Sequence, residues 1–185
     1  LVGDVELHLG PRSFSQTNTG VASQLYRQVA RWAQQSGASS LWDLYCGVGG
    51  FALHAALGGV EHISGVEISP EAIASAQHTA ADLGVNDRVH FIAADAQEWA
   101  IAQGANACPE AIVVNPPRRG IGATLAQWLN DSRARFVIYS SCNPKSLAAD
   151  LKLMPNYAPI QARLFDMFPH TEHKECAVLL HNMLV

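Results

Sequence analysis

The sequence predicts an α/β fold built on a doubly wound, mostly parallel sheet of seven strands. Three observations predict it. Short apolar segments alternate with segments of helical spacing along the 185 residues, as in successive strand–helix–strand units. The apolar segments lack polar alternation, which is typical of strands buried on both faces. Apolar residues make up 49% of the chain and charged residues only 15%, which suits one domain over residues 1–185 with a single core.

The first elements follow from local spacing. Residues 5–9 alternate like a strand, and residues 17–35 have the spacing of a helix that Asn18 or Thr19 would cap. A strand at 41–45 leads through an acid and a glycine cluster into a helical segment at 52–57. A second strand at 62–68 is followed by Ser69, Pro70 and an acid, which predict a helix that ends at Gly84.

The remaining elements continue the alternation. Strands are predicted at 88–93 and 111–114, each followed by a helix, at 96–103 and 124–130. A fifth strand at 135–140 precedes a helix at 145–153, and the last two strands are predicted at 161–165 and 176–184. Ligands of such sheets bind at the carboxyl ends of the strands. The unusual residues are all predicted there: residues 46–50, Glu67, Asp95, residues 115–119 and Cys142.

Composition excludes several classes. The sequence has neither a stretch of about 18 apolar residues, the length that spans a bilayer, nor a signal peptide. The four cysteines form no C-x-x-C pair, so we expect neither disulfides nor a zinc site, and a cytoplasmic location. The formal charge is −4, so the sequence does not show the excess of basic residues that is typical of a nucleic-acid binder. Because the chain begins at Leu1, we interpret it as a fragment whose charge does not describe its parent.

The turn after the first strand predicts a cofactor site. Glycines 47, 49 and 50 allow a ligand to approach the backbone, and the N–H groups of a helix start favour its carboxylate or phosphate. Glu67 ends the next strand, 20 residues after Gly47. A carboxylate there can accept both hydroxyls of a ribose. The pattern predicts a nucleoside-containing cofactor and does not say which one.

Two further turns carry candidate chemistry. Two prolines follow Asn115 and make this turn rigid. The turn either projects the Asn115 amide into the crevice or has only a structural role. Arg118 and Arg119 follow, either as ligands of a substrate phosphate or as solvated side chains. Cys142 precedes a helix whose N-terminus would favour a thiolate, although an isolated cysteine is more often a buried apolar residue. Cys46 lies in the cofactor turn; the other two cysteines, Cys108 and Cys176, are interpreted as structural.

The segment from His170 to Glu175 contains two histidines and two carboxylates. Its H-x-x-H spacing is a weak ligand signature, so we expect no metal there. A carboxylate that acts as a general base is the favoured interpretation, because the segment should reach the rim of the crevice. Spacing alone does not choose between Glu172 and Glu175.

Five motifs occur together in the chain, and together they resemble one family. They are S-F-S-Q-T-N, D-L-Y-C-G-V-G-G-F, N-P-P-R-R-G-I-G, Y-S-S-C-N-P and D-M-F-P-H-T-x-H-x-E. This is similar to the catalytic domain of the RNA uracil-C5 methyltransferases that use S-adenosylmethionine, over about residues 14–180. Asn-Pro-Pro-Arg-Arg-Gly, where relatives have Asp-Pro-Pro-Arg, resembles the subgroup that modifies a uridine of 23S ribosomal RNA. The resemblance implies the Rossmann-like fold of the class I methyltransferases.

The resemblance also implies residue roles and a mechanism. Cys142 matches the nucleophile that adds to carbon 6 of the uracil as a covalent adduct, and Glu175 matches the base that removes the carbon 5 proton. The uridine must be unstacked or flipped out for this reaction. The positions that match contacts to the cofactor, or lie where its adenine is held, are Gln16, Tyr45, Gly50, Glu67, Asp95 and Asn115. Gly47 of the glycine turn is expected to bind the cofactor with them.

The expected partner is 23S ribosomal RNA, with no DNA, no membrane and a monomeric protein. Family members carry an N-terminal RNA-binding module, and many carry an iron–sulfur cluster. Neither is visible here, which agrees with the fragment interpretation. Three alternatives stay open: an RNA cytosine-C5 methyltransferase, an NAD(P)-dependent oxidoreductase and an inactive cofactor-binding module. The first needs a cysteine after the proline at the fourth strand, where Pro117 stands; the second needs neither Cys142 nor Asn115.

Overall fold

The computed structural model describes residues 5–8, 18–167 and 174–185. The strands are β1 (Ser40–Leu44), β2 (His62–Glu67), β3 (Val89–Ala93), β4 (Ala111–Val114), β5 (Phe136–Ser141), β6 (Tyr157–Phe165) and β7 (Glu175–Asn182). The α-helices are α1 (Thr19–Gln35), α2 (Gly50–Leu57), α3 (Pro70–Asp82), α4 (Ala96–Gln103), α5 (Gly122–Asp131) and α6 (Pro144–Leu151). A 3-10 turn at Ala105–Ala107 was not predicted.

The seven strands form one sheet in the order β3-β2-β1-β4-β5-β7-β6. The first five are parallel, and β7 pairs antiparallel with both β5 and β6. The predicted doubly wound, mostly parallel, seven-stranded α/β fold is therefore confirmed. The strand order reverses between β1 and β4, and this switch point is where such sheets form their binding crevice.

Helices cover both faces of the sheet and divide the core into two clusters. The first cluster packs α1, α2 and α3 on one face, and the second packs α4, α5 and α6 on the other. Strand β4 and most of β1 are buried, which explains why these strands lack polar alternation. Among the described residues, no helix has both the length and the apolar character needed to cross a membrane.

Local signals set several element boundaries as predicted. Asn18 caps α1, because its side chain accepts a hydrogen bond from the Val21 N–H. Ser69 caps α3 in the same way through the Ala72 N–H, and Pro70 occupies the first turn. Because β1 to β5 are parallel, the residues at their carboxyl ends meet on one side of the sheet, as expected.

Two predicted strands differ from the structure. Residues 5–8 are not a strand beyond a single bridge at Val5, because the His8 N–H donates to the Thr79 hydroxyl rather than to a ladder; Leu9 lies outside the described residues. Strand β6 begins at Tyr157, earlier than predicted, although it contains Pro159. An edge strand tolerates this proline, and the pairing with β7 is irregular at that point.

Candidate active site

The turn between β1 and α2 has a tightly constrained backbone. Tyr45, Gly47 and Gly49 all have positive φ angles, of 64°, 54° and 83°. The φ of Tyr45 is unusual for a residue with a side chain, and such conformations persist only where the surrounding structure enforces them. The Gly49 N–H donates to the Cys46 carbonyl at 2.9 Å, which closes the turn. The predicted cofactor turn is thus a distinct backbone structure at the carboxyl end of β1.

The glycines of this turn have different structural reasons. A Cβ at Gly49 would lie 2.6 Å from Cζ of Phe91, and one at Gly50 would lie 2.5 Å from Cζ of Tyr26. A Cβ at Gly47 would meet nothing within 4 Å. Packing therefore requires glycine at 49 and 50, whereas the space above Gly47 is open to a ligand.

A substitution at Gly49 tests this distinction. We expect Gly49→Ala to destabilise the fold by about 2 kcal/mol or more, because the new methyl group would collide with Phe91 in addition to the backbone strain. Gly47→Ala is the matched control, with backbone strain alone and a cost of about 1 kcal/mol. Urea denaturation followed by circular dichroism measures both. Equal losses would show that Phe91 does not constrain the turn.

Asp43 stabilises the turn between β1 and α2 through a hydrogen bond to the first turn of α2. It is fully buried in β1, and its Oδ2 accepts a hydrogen bond from the Ala52 N–H at 3.0 Å. Its Oδ1 is buried with no partner among the described residues. Burial raises the pKa of Asp43 to about 7, the Ala52 N–H opposes this shift, and the charge of Glu67 adds to it. The carboxylate therefore fixes the start of α2 at the edge of the predicted crevice.

Glu67 lies against the same turn. Its Oε2 accepts a hydrogen bond from the Gly47 N–H at 3.3 Å, and its Oε1 accepts one from the Ser69 N–H at 3.0 Å. The carboxylate thus bridges the end of β2 to the glycine turn and is only partly buried. The two features whose spacing predicted a cofactor site are in direct contact.

A cavity of about 310 Å³ opens beside this turn. Its lining includes Tyr45 at the end of β1, Asp95 after β3, and Pro117 with Arg119 after β4. Asp95 also caps α4, since its Oδ1 accepts a hydrogen bond from the Glu98 N–H. The side chain of half-buried Asn115, which directly follows β4, has no hydrogen-bond partner among the residues described. Of the predicted residues, Tyr45, Asp95 and Arg119 therefore line one cavity near the switch point, whereas Gly47, Glu67, Asn115 and Cys142 are not part of its lining.

The loop after β4 is attached to α6 at two points that sequence patterns did not reveal. The Asn143 side-chain amide donates to the Arg118 carbonyl at 2.9 Å. The Ile121 N–H donates to Oδ2 of buried Asp150 at 3.0 Å, and the Tyr139 hydroxyl donates to the same oxygen at 2.6 Å. The loop that carries the two arginines is therefore held against the helix that follows Cys142.

The antiparallel pairing of β7 with β5 places Glu175 beside Cys142. The last residue of β5, Ser141, pairs with Cys176, so the residues just beyond this pair are neighbours. The Ser140 hydroxyl donates to Oε1 of Glu175 at 2.6 Å, and both side chains are buried. Burial raises the pKa of Glu175, and the Ser140 hydrogen bond opposes the shift.

The expectation that the α6 N-terminus favours a Cys142 thiolate is not supported. Cys142 is half-buried, and its pKa is raised, first by burial and then by the negative charge of Glu175. Arg118 lowers the pKa but does not outweigh these causes. The sequence could not reveal this, because Glu175 reaches the cysteine only through the pairing of β5 with β7.

Tyr26 of α1 is a further buried residue of this region that the sequence did not indicate. Its ring packs on Gly50, contacts Phe51 edge-on with centroids 4.8 Å apart, and lies 5.3 Å from the His54 ring. Burial raises the pKa of Tyr26 far above its ordinary value, and the charges of Asp43 and Glu175 add to this. Tyr26 therefore lies within electrostatic reach of both Asp43 and Glu175.

Other candidate residues fall elsewhere. Gln16, His170 and Glu172 lie outside the described residues. Cys46 is buried beneath the turn, where burial raises its pKa well above the ordinary value. Cys108 is half-buried and accepts a hydrogen bond from the Arg133 N–H, whereas Cys176 neighbours Glu175 in β7.

Comparisons with known proteins point to one family. Residues 7–183 match the model of the family described as tRNA (Uracil-5-)-methyltransferase. A Salmonella paratyphi B protein named 23S rRNA (uracil(747)-C(5))-methyltransferase RlmC is 49% identical over 181 residues, which are 98% of this chain and 47% of that protein. The RlmC protein of Escherichia coli O17:K52:H18 is 49% identical over 97% of this chain and 47% of its own length. The chain therefore spans about half the length of the curated relatives it matches.

Solved structures agree with this comparison. The Pyrococcus abyssi tRNA (uracil-54, C5)-methyltransferase, solved in complex with S-adenosyl-L-homocysteine, superposes with a TM-score of 0.84 at 29% identity. The match covers 97% of this chain and 43% of that one. The magnesium protoporphyrin IX methyltransferase of Synechocystis PCC 6803, solved with bound SAM, gives a TM-score of 0.69 at 16% identity, which shows the fold alone.

Proposed function

Since the chain belongs to the tRNA (uracil-5-)-methyltransferase family, we propose that it transfers a methyl group from S-adenosylmethionine to carbon 5 of a uridine in 23S ribosomal RNA. The observation that carries this proposal is the pairing of β5 with β7, which brings Cys142 next to Glu175. Both residues lie on the side of the sheet where the parallel strands have their carboxyl ends, and the glycine turn lies on the same side. The names of the RlmC relatives, at 49% identity, favour ribosomal RNA as the substrate.

The crevice fits the proposed cofactor. The open space above Gly47, the contact of Glu67 with the turn and the Asn115 amide, which has no hydrogen-bond partner in the described part of the chain, offer the groups that a nucleoside and a charged amino-acid end require. When bound, the cofactor supplies an electrophilic methyl group on a sulfonium. The residues proposed to hold it are Gln16, Tyr45, Gly47, Gly50, Glu67, Asp95 and Asn115.

The proposed chemistry uses two side chains. Carbon 5 of uracil is too weak a nucleophile to take a methyl group unaided, so the Cys142 thiolate first adds to carbon 6. The ring electrons move to carbon 5, which then takes the methyl group. Glu175 removes the carbon 5 proton, and the released electron pair expels the thiolate from carbon 6. The target uridine must leave its base stack to reach both side chains.

Arg118 and Arg119 are the residues that we propose to contact RNA. Both side chains are exposed, Arg119 lines the cavity, and the Arg118 charge acts on the Cys142 thiol. A guanidinium there can pair with a phosphate of the flipped nucleotide. Such a contact would bring the target base over the nucleophile.

The test is methylation of 23S ribosomal RNA from a strain that lacks this modification. The complete gene product that contains these residues is incubated with tritiated S-adenosylmethionine, and the RNA is mapped by mass spectrometry. We expect 5-methyluridine at a single position. Label on cytidine would favour the cytosine-C5 alternative. Calorimetric titration with S-adenosylhomocysteine and with NADH separates the methyltransferase from an oxidoreductase, because only the first ligand should bind.

Ser140 provides a test of the base. The Ser140 hydrogen bond lowers the pKa of Glu175. Its removal in Ser140→Ala raises that pKa further, so a larger share of Glu175 is protonated at a given pH. Because the base must be ionised, activity is lost at low pH, and we expect this acidic limb to move to higher pH. The pH profile of kcat measures the shift.

Ser140→Thr keeps the hydroxyl and serves as the control for Ser140→Ala. Its acidic limb should stay where the unsubstituted protein has it. An unchanged profile in Ser140→Ala would argue against Glu175 as the base.

A further inference from the structure

A second cluster of polar side chains lies away from the proposed active site, on α3. His78 and Asp82 are one helical turn apart on this helix, and His8 approaches them from the N-terminal segment. One ligand atom from each residue lies within 4.8 Å of the other two. Helix α3 starts at the end of β2 beside the cofactor turn, and its 13 residues place Asp82 about 18 Å from that end. The cluster is therefore separate from the crevice.

The three ligand atoms have the spacing of a metal site. His8 Nε2 is 2.7 Å from Asp82 Oδ2, and His78 Nε2 is 3.8 Å from the same oxygen. Zinc binds nitrogen and oxygen at about 2.0–2.1 Å, so tetrahedral ligands lie roughly 3.3 Å apart. The two observed distances bracket this value. The imidazole rings of His8 and His78 are nearly perpendicular, with centroids 4.1 Å apart.

The backbone holds His8 in place before any ion binds. Val5, three residues earlier, is completely buried, which anchors the segment to the core. The His8 N–H donates to the Thr79 hydroxyl at 3.1 Å, and that hydroxyl donates to the Ser75 carbonyl at 3.0 Å. Preorganised ligands lose less entropy on binding an ion.

The charges also suit a cation. Within the part of the chain that the structure describes, the ion pairs of Asp82 are with His8 and His78, and not with a lysine or arginine. The side chains are 42% to 63% exposed, so an ion can enter from solvent and keep water in its remaining position. Imidazole and carboxylate are the ligands that suit zinc and its neighbours in the first transition row.

We propose that His8, His78 and Asp82 bind a divalent transition-metal ion, with zinc as the best match. The ion takes the place of the direct contact between His8 and Asp82 and joins the N-terminal segment to α3. Bound zinc stabilises the contact between two segments that are 70 or more residues apart. The site does not depend on methyl transfer.

Isothermal titration of the protein with zinc sulfate tests the site. We expect one equivalent to bind, and we expect His78→Ala and Asp82→Asn to weaken the affinity by more than about tenfold. His90→Ala is the matched control, because His90 is an exposed histidine outside the cluster. Zinc should also raise the Tm of the unsubstituted protein and of His90→Ala, but not that of the two cluster variants.

Cobalt distinguishes this site from the cysteines. Its absorption spectrum shows strong sulfur charge-transfer bands when thiolates bind, and these should be absent from the first equivalent. Two results would overturn the proposal. One is the absence of saturable zinc binding, which would leave the cluster as a hydrogen-bonded contact only. The other is equal zinc affinity in His78→Ala, Asp82→Asn and the unsubstituted protein.

Discussion

Replacement of Cys142 by alanine is expected to abolish methyl transfer while cofactor binding persists. In the proposed mechanism, the loss of Cys142 leaves carbon 5 of the uracil without activation, and we expect kcat to fall by about 10⁴-fold or more. Cys142 is half-buried and directly follows β5, so the substitution removes one partly accessible sulfur and should leave the fold intact. Tritium transfer to 23S ribosomal RNA measures activity, and titration with S-adenosylhomocysteine measures cofactor binding.

Cys176→Ala is the matched control for this experiment. Cys176 is also half-buried and pairs with Ser141, one residue before Cys142. The side chains of Cys142 and Cys176 belong to opposite faces of the sheet, because Cys142 follows the paired residue by one position. We expect Cys176→Ala to keep near-normal activity. Full activity in Cys142→Ala, or an equal loss in both variants, would contradict the nucleophile assignment.

The raised pKa of Cys142 adds a pH dependence. Burial and the charge of Glu175 keep the thiol protonated near neutral pH in the free protein. The reactive form is the thiolate, so activity should rise as pH increases toward the pKa of this group. Arg118 opposes the shift and favours the thiolate. A substrate phosphate that binds Arg118 would reduce the effect of Arg118 on the pKa of Cys142. The rise of activity with pH, measured with RNA bound, therefore depends on both Cys142 and Arg118.

Much of the fold could be predicted because its determinants are local. The cap at Asn18 and the Ser69-Pro70 helix start set their boundaries within a few residues of sequence. Alternation of strands and helices predicted the parallel part of the sheet, and with it the edge at which Glu67 meets the glycine turn. Local signals failed at β6, where Pro159 argues against a strand and only its position at the sheet edge permits one.

The parts of the site that could not be predicted depend on long-range pairing. No spacing in the sequence places β7 between β5 and β6, yet this placement brings Glu175 to Ser140 and Cys142. Family resemblance chose Glu175 over Glu172, but its burial and its effect on the thiol required the strand order. The contact of Asp150 with Ile121, and the meeting of His8 with α3, are likewise products of tertiary packing.

Glu175→Gln is expected to stop turnover after the methyl group has been transferred. In the proposed mechanism, Cys142 remains able to add to carbon 6 and carbon 5 can still be methylated, but the proton on carbon 5 has no base to accept it. Without that step the thiolate is not expelled, so a covalent complex of protein and RNA should accumulate. We expect turnover to fall by about 10²- to 10⁴-fold, the usual contribution of a general base.

The fold should tolerate this substitution. Glutamine has nearly the shape of glutamate, and its carbonyl oxygen can keep the hydrogen bond from Ser140. Burial raises the pKa of Glu175 in the folded protein, so ionisation of this group costs stability as the pH rises above its unfolded pKa. A neutral amide removes that cost. At pH 8 the variant should therefore be as stable as the unsubstituted protein or slightly more stable.

A denaturing gel with radiolabelled RNA measures the trapped complex. We expect a slowly migrating band in Glu175→Gln, and this band should carry the transferred methyl group only when S-adenosylmethionine is present. The band should disappear in the double variant Cys142→Ala/Glu175→Gln. Glu110→Gln is the control, because Glu110 precedes β4 at the opposite edge of the sheet and binds Ser39. Normal turnover in Glu175→Gln would remove this residue from the mechanism. A loss of turnover without any trapped band would instead place its role before the addition of Cys142, as an acid that governs the ionisation of the thiol.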